Sequence, residues 1–66
     1  MSAITSIGQA IRTARRRHRL TQEQLAELAG TSTRTVREIE RGNGSTSIGT
    51  VADVAGVVGL TLGVLD

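Results

Sequence analysis

Apolar residues return at helical spacing in four separate stretches of the chain. Ile7, Ala10, Ile11 and Ala14 follow an i, i+3, i+4, i+7 rhythm, which predicts a helix with one buried face. Ser6 and Gln9 stand in capping-box spacing and mark its start. Leu25, Leu28 and Ala29 form the inner face of a shorter helix that opens on a second capping box, Thr21 with Gln24, and stops at Gly30. Val36 and Ile39 belong to a third helix, with Ser32 as N-cap and Gly42 as its stop. Ile48, Val51, Val54, Ala55 and Val58 make the core stripe of a fourth, capped at Ser47 and ended by Gly59. Gly49 and Gly56 weaken that last helix by about 1 kcal/mol each relative to alanine. Beyond it the rhythm changes, because Leu60, Leu62 and Val64 alternate at period two and predict a short strand over residues 60–65. A lone strand leaves its backbone groups unpaired, so it needs the same strand of a second copy. A fifth short helix from Thr61 is the alternative. The expected fold is therefore all-α, four to five helices in one domain over residues 1–66, with a C-terminal strand that pairs across a homodimer.

Two charges fall where the apolar stripes should be. Arg15 continues the inner face of the first helix, and Glu40, four residues past Val36, lies at the edge of the inner face of the third. An unpaired ion in either place costs several kcal/mol or returns to water. Arg15 and Glu40 are expected to pair with each other and tie the two helices together. On the opposite side of the third helix, Arg34, Arg37, Glu38 and Arg41 point outward. Such a row can be a solvated surface, or it can be built to touch a polyanion.

Charge distribution favours the polyanion. The net charge is only +2, but all eight basic residues are arginines between positions 12 and 41, where Glu23, Glu27, Glu38 and Glu40 leave a balance of 8 − 4 = +4. The rest of the chain carries just Asp53 and Asp66. Arginine without lysine suits bidentate contact with phosphate or guanine. A helix of this width fits a DNA major groove about 12 Å across. Thr21 and Gln22 begin the second helix, and two short helices joined by a glycine-containing turn form a helix-turn-helix, whose second helix enters the groove while the first braces it.

Composition narrows the remaining classes. With no Phe, Tyr or Trp, the core must come from Ile, Leu, Val and Ala, so sharing apolar surface with a second subunit is physically reasonable. The absence of cysteine and the single His18 leave no disulfide, no thiolate site and no histidine cluster for a metal. No cofactor is expected. No apolar run approaches the roughly 20 residues that cross a bilayer, and a cytoplasmic, nucleoid-associated place is expected. Catalysis lacks its ingredients: His18 sits among arginines, no glycine-rich phosphate loop follows a strand, and the acids show no paired spacing.

Four spaced blocks carry a family likeness: Ile11, Arg12 and Arg15; then Leu20, Thr21, Gln22, Leu25 and Ala26; then Gly30, Thr31, Ser32, Thr35 and Val36; then Ile39, Glu40, Arg41 and Gly42. In this order and separation they resemble the Xre or lambda-repressor-like helix-turn-helix family. The short loop before the fourth helix and residues 59–64 are most similar to HipB-type antitoxins. The sequence departs from the family pattern at Arg19, where glycine is common, and at Thr31, where an aliphatic residue is common. The resemblance implies that Gln22 and Ser32 hold phosphates or brace the helix, that Thr33, Arg34, Arg37 and Glu38 face base edges, and that Arg41 and Asn43 sit near the backbone. It implies a homodimer on a partly palindromic operator of double-stranded DNA, joined through Leu60, Leu62 and Val64. It further implies a repressor of its own operon that binds a HipA-type kinase toxin. A stand-alone Xre-type regulator of a phage or mobile element is one alternative, and a protein-interaction module that has lost DNA binding is another.

Overall fold

The computed structural model describes residues 3–61. They form four helices: α1 (Ala3–Arg17), α2 (Gln22–Ala29), α3 (Thr33–Glu40) and α4 (Ile48–Val57). No strand is present among the described residues. Leu60 is half-buried against the core, whereas Leu62 and Val64, and with them the choice between strand and fifth helix, lie outside the described residues.

Three helix starts follow their caps. Thr21 accepts the backbone N–H of Gln24 at 3.0 Å while the Gln24 side chain accepts the backbone N–H of Thr21 at 2.8 Å. Ser32 and Ser47 accept from the backbone of Thr35 and Thr50 in the same way. The first helix does not start where the sequence pattern placed it. It begins at Ala3, and Ser6 and Gln9 lie exposed within it. No glycine or proline stands between Ala3 and Ser6 to stop the helix, so the capping spacing there goes unused.

Every helix ends the same way. The backbone N–H groups of the two residues past the last turn return to carbonyls inside it: Arg19 to Arg16 and Leu20 to Arg15, Gly30 to Glu27 and Thr31 to Ala26, Gly42 to Ile39 and Asn43 to Glu38, Gly59 to Gly56 and Leu60 to Ala55. This pair of bonds needs a left-handed residue at the first of the two positions. Gly30, Gly42 and Gly59 take it freely, with φ of 71°, 79° and 79°. Arg19 takes it at φ 56°, alone among the described non-glycine residues.

Ile11, Leu25, Val36 and Val54, one from each helix, are the largest fully buried side chains. Ala14, Ala26, Ile39, Ala55 and Val58 complete the core. α3 packs on both α1 and α2, and α4 packs on α2. Several expected core positions are exposed. Leu28 is 62% exposed, and Ala26 is buried in its place. At about 100° per residue, Ala26 and Ala29 lie to one side of Leu25 and Leu28 to the other, and the core is on the alanine side. Ile48 is 71% exposed because it opens α4. Ala10 is exposed as well. On α1 the third buried position beside Ile11 and Ala14 is Gly8. A Cβ there would collide with the carbonyl oxygen of Ile39 and press on that of Glu40, so a bare glycine lets α1 lie directly on the last turn of α3.

Gly8→Ala should lower stability by about 1–3 kcal/mol despite its gain in helix propensity, because the opposing atom is a backbone carbonyl that cannot rotate away. Gly56→Ala, where a Cβ meets open space, should raise it by about 0.5–1 kcal/mol. Urea denaturation of both variants checks the pair of signs. Arg19→Gly should relieve the left-handed penalty and raise stability by about 1 kcal/mol. The melting temperature would then rise by roughly 4–8 °C for a domain of this size, and an unchanged or lower melting temperature would contradict it.

Candidate nucleic-acid interface

The outward side of α3 is built on an inward anchor. Val36 and Ile39 face the core, and Ser32 fixes the first turn through the Thr35 backbone N–H at 3.1 Å and the Thr35 hydroxyl at 2.9 Å. With that face pinned, Arg34, Arg37 and Arg41 are left exposed. They recur at i, i+3 and i+7, one side of the helix. Glu38 lies in the same row and accepts Arg34 Nε at 3.3 Å. Surface pairs of this i, i+4 kind contribute only about 0.3–0.5 kcal/mol, so the pair sets the direction of Arg34 more than it stabilises the helix. Only Nε of Arg34 is engaged, and the side chain is 86% exposed, which leaves its two Nη groups without a protein partner. Thr33 opens the helix, half-buried.

The last turn of α3 is tied to α1 and α2 by one carboxylate. Arg15 Nε donates to Glu40 Oε2 at 2.7 Å and Arg15 Nη2 to Oε1 at 3.0 Å. Gln22 Nε2 also donates to Oε1, at 3.2 Å. The remaining Arg15 amine, Nη1, donates to the carbonyl of Leu20 at 2.9 Å, the same residue whose N–H returns to the Arg15 carbonyl. The side chains are 11% and 4% exposed. The hydrogen bond to Glu40 holds the Arg15 guanidinium further into its charged form than an ordinary arginine. Burial opposes this, and the fields of Glu40 and, more weakly, Glu23 add to it.

The structure thus brings Arg15, Glu40 and Gln22 into one cluster and Arg34, Arg37, Glu38 and Arg41 into one row. Gln22 is braced inward through one N–H of its amide; an amide nitrogen carries two. Asn43 is not gathered with them. Its Oδ1 accepts the Ser45 N–H at 3.0 Å and closes the loop after α3, and it borders a separate apolar recess with Ile4, Ile7 and Ile48. Arg12 belongs to the first family block but was given no site role from the sequence. It lines an open cleft of about 400 Å³ with Arg15, Gln22, Arg37, Glu40 and Arg41, and its i, i+3 spacing from Arg15 was the signal available. Among the described residues no helix is long and apolar enough to cross a membrane, and no group of His, Asp and Glu is placed to hold a metal.

Two eight-residue helices joined by a turn with left-handed Gly30, the second presenting arginines and the first bracing it, define a helix-turn-helix domain. The chain belongs to the helix-turn-helix family of the Xre or lambda-repressor-like kind, whose profile matches residues 11–65. Its fold is similar to the crystal structure of the clp gene regulator ClgR from Corynebacterium glutamicum, with a TM-score of 0.80 and 28% sequence identity over 92% of this chain. The chain spans 65% of that regulator's chain. No curated protein matches it. The family and fold are those of DNA-binding transcription regulators.

Removing one partner from the Arg15–Glu40 pair leaves a part-buried charge uncompensated. Glu40→Ala should therefore cost about 1–3 kcal/mol, while the double replacement Arg15→Met with Glu40→Leu recovers most of the loss. Denaturant titration of the three proteins decides it, and equal losses in the single and double variants would show that the two side chains do not act as a unit.

Proposed function

We propose that the chain is a sequence-specific DNA-binding transcriptional repressor that lays α3 in the major groove. One observation carries this reading: three arginines stand exposed in a row on a helix whose other face is fully committed to the core and whose end is fastened to both preceding helices. In it, Thr33, Arg34, Arg37 and Glu38 meet base edges. The Nη pair of Arg34, free of protein partners, suits bidentate contact with guanine O6 and N7. Ser32, Arg41 and Asn43 lie by the sugar-phosphate backbone, and Gln22 offers its second N–H there. The protein then works on the nucleoid in the cytoplasm, needs no cofactor and catalyses nothing.

The repressor acts as a homodimer, with two α3 helices in successive major grooves about 34 Å apart on a partly palindromic operator. Leu60, Leu62 and Val64 supply the joining segment, a reading supported by their period-two spacing and by a core without aromatic residues. The likeness of residues 59–64 to HipB-type antitoxins supports autorepression of a toxin–antitoxin operon, with a HipA-like kinase as protein partner. A co-transcribed kinase gene would bear that out, and an isolated gene would count against it. Similarity to a solved gene regulator favours a second reading, a stand-alone regulator without toxin. The exposed arginine row speaks against an interaction module that has lost DNA binding.

Selection of binding sites from a random duplex pool, followed by mobility shift, tests the proposal. Arg34→Ala should cost about 1–3 kcal/mol and relax preference at one base position if it reads guanine, or weaken all sequences alike if it holds phosphate. No change on any duplex would remove Arg34 from the interface.

A further inference from the structure

The loop that leaves α3 holds the chain's one asparagine, followed directly by a glycine. Asn43 and Gly44 are both exposed. The asparagine is tethered from behind, since its backbone N–H donates to the carbonyl of Glu38 at 3.0 Å and closes the end of α3. Ahead of it little is bound. The backbone N–H of Gly44 and the side-chain amine Nδ2 of Asn43 have no hydrogen bond with any described residue. Oδ1 alone is engaged, accepting the Ser45 N–H at 3.0 Å. A side-chain oxygen that reaches the N–H two residues on folds its carbon, Cγ, back toward the peptide in between. The nitrogen of that peptide belongs to Gly44.

Asparagine amides are chemically labile, and three features favour attack of this nitrogen on Cγ. The Ser45 N–H stands where negative charge gathers on Oδ1 as the new bond forms, the part an oxyanion donor plays in acyl transfer. Gly44 brings no Cβ to crowd the closing ring, and glycine lets the backbone rotate into closure. The leaving amine is held by nothing among the described residues.

We propose that Asn43 and Gly44 form a self-modification site that lowers affinity for DNA as the protein ages. The Gly44 nitrogen gives its proton to water and bonds to Cγ; the Cγ–Nδ2 bond breaks, and the amine takes a proton from solvent and leaves as ammonia. Water then opens the cyclic imide. Cleavage at Cγ restores the main chain with an aspartate, whereas cleavage at the main-chain carbonyl gives an isoaspartate whose side-chain methylene now runs in the backbone. Nothing is oxidised or reduced: one amide and one water become one carboxylate and one ammonium. Either product adds a negative charge two residues past the exposed Arg41. The effect on binding rests on the reading that places Asn43 by the DNA backbone, where a carboxylate repels phosphate.

The full chain is kept at neutral pH and followed by intact mass and by fragmentation of the peptide across residues 42–45, beside the same chain unfolded in guanidinium. Folded protein should convert no more slowly than unfolded, with isoaspartate at position 43. Asparagine that outlasts its unfolded counterpart would overturn the site. Gly44→Ala is the control, because its Cβ meets only the tip of the flexible Ile4 side chain and Gly44 is not left-handed; circular dichroism checks its fold. It should keep its asparagine through the same period, and equal conversion in the two proteins would overturn the assigned nucleophile. Mobility shift on a random-sequence duplex is measured before and after. Aged wild type should bind about fivefold more weakly, the effect of two like charges about 4 Å apart in water. Fresh Asn43→Asp should show the same loss, and aged Gly44→Ala should keep its starting affinity. Conversion without loss of affinity would overturn the link to binding. Fresh wild type with no salt-dependent binding to any duplex would refute the DNA-binding reading itself, while the masses still judge the chemistry.

Discussion

A single carboxylate decides where the outward helix points. Glu40 ends α3 and receives donors from α1 and from the first turn of α2, so α1, α2 and α3 meet at one part-buried anion. Apolar packing alone would leave α3 free to roll, since hydrophobic attraction has no direction. The two-pronged contact with Arg15 has one geometry. Its contribution to net stability is small, because desolvation offsets much of the attraction. What it contributes is orientation: with Glu40 fixed inward, Arg34, Arg37 and Arg41 can only face out.

The small core makes that directional contact matter more. One Ile, one Leu and two Val are its largest fully buried members, and a domain of this size hides only about 60% of the surface its unfolded chain exposes. Short helices in such a core rely on their ends. Caps at Thr21, Ser32 and Ser47 and left-handed turns at Gly30, Gly42 and Gly59 satisfy the groups that a short helix leaves unpaired. Gly8 works in the same direction by letting α1 and α3 approach to backbone contact. The turn at Arg19 is strained, yet it sets the Leu20 carbonyl where Arg15 can reach it.

Residues whose chemistry acts locally were legible in the sequence. Thr21 with Gln24, Ser32 and Gly30 each need only near neighbours to do their work, and the structure has them in those roles. Arg15 and Glu40 could be matched because each was a charge on an otherwise apolar stripe. Positions that depend on which side a neighbour lies were not legible. Leu28 and Ala26 exchange places because a short helix offers two almost equal faces, and only the location of α3 and α4 selects one. Gly8 leaves no apolar mark at all, since its contribution is the absence of a side chain. Arg12 was only partly marked: its spacing to Arg15 is helical, but Arg37, Glu40 and Arg41, which line the same cleft, are more than twenty residues away in the chain, so no spacing rule joins it to them.

The central claim is that α3 is held as a rigid blade whose outer row meets duplex DNA while the Arg15–Glu40 contact stays closed. Nuclear magnetic resonance of the labelled chain during addition of duplex tests it most directly. The largest shifts should fall on Arg34, Arg37, Glu38 and Arg41, with the Arg15 Nε–H signal remaining protected from solvent exchange throughout. Shifts concentrated on α4, or loss of Arg15 protection as DNA is added, would contradict it.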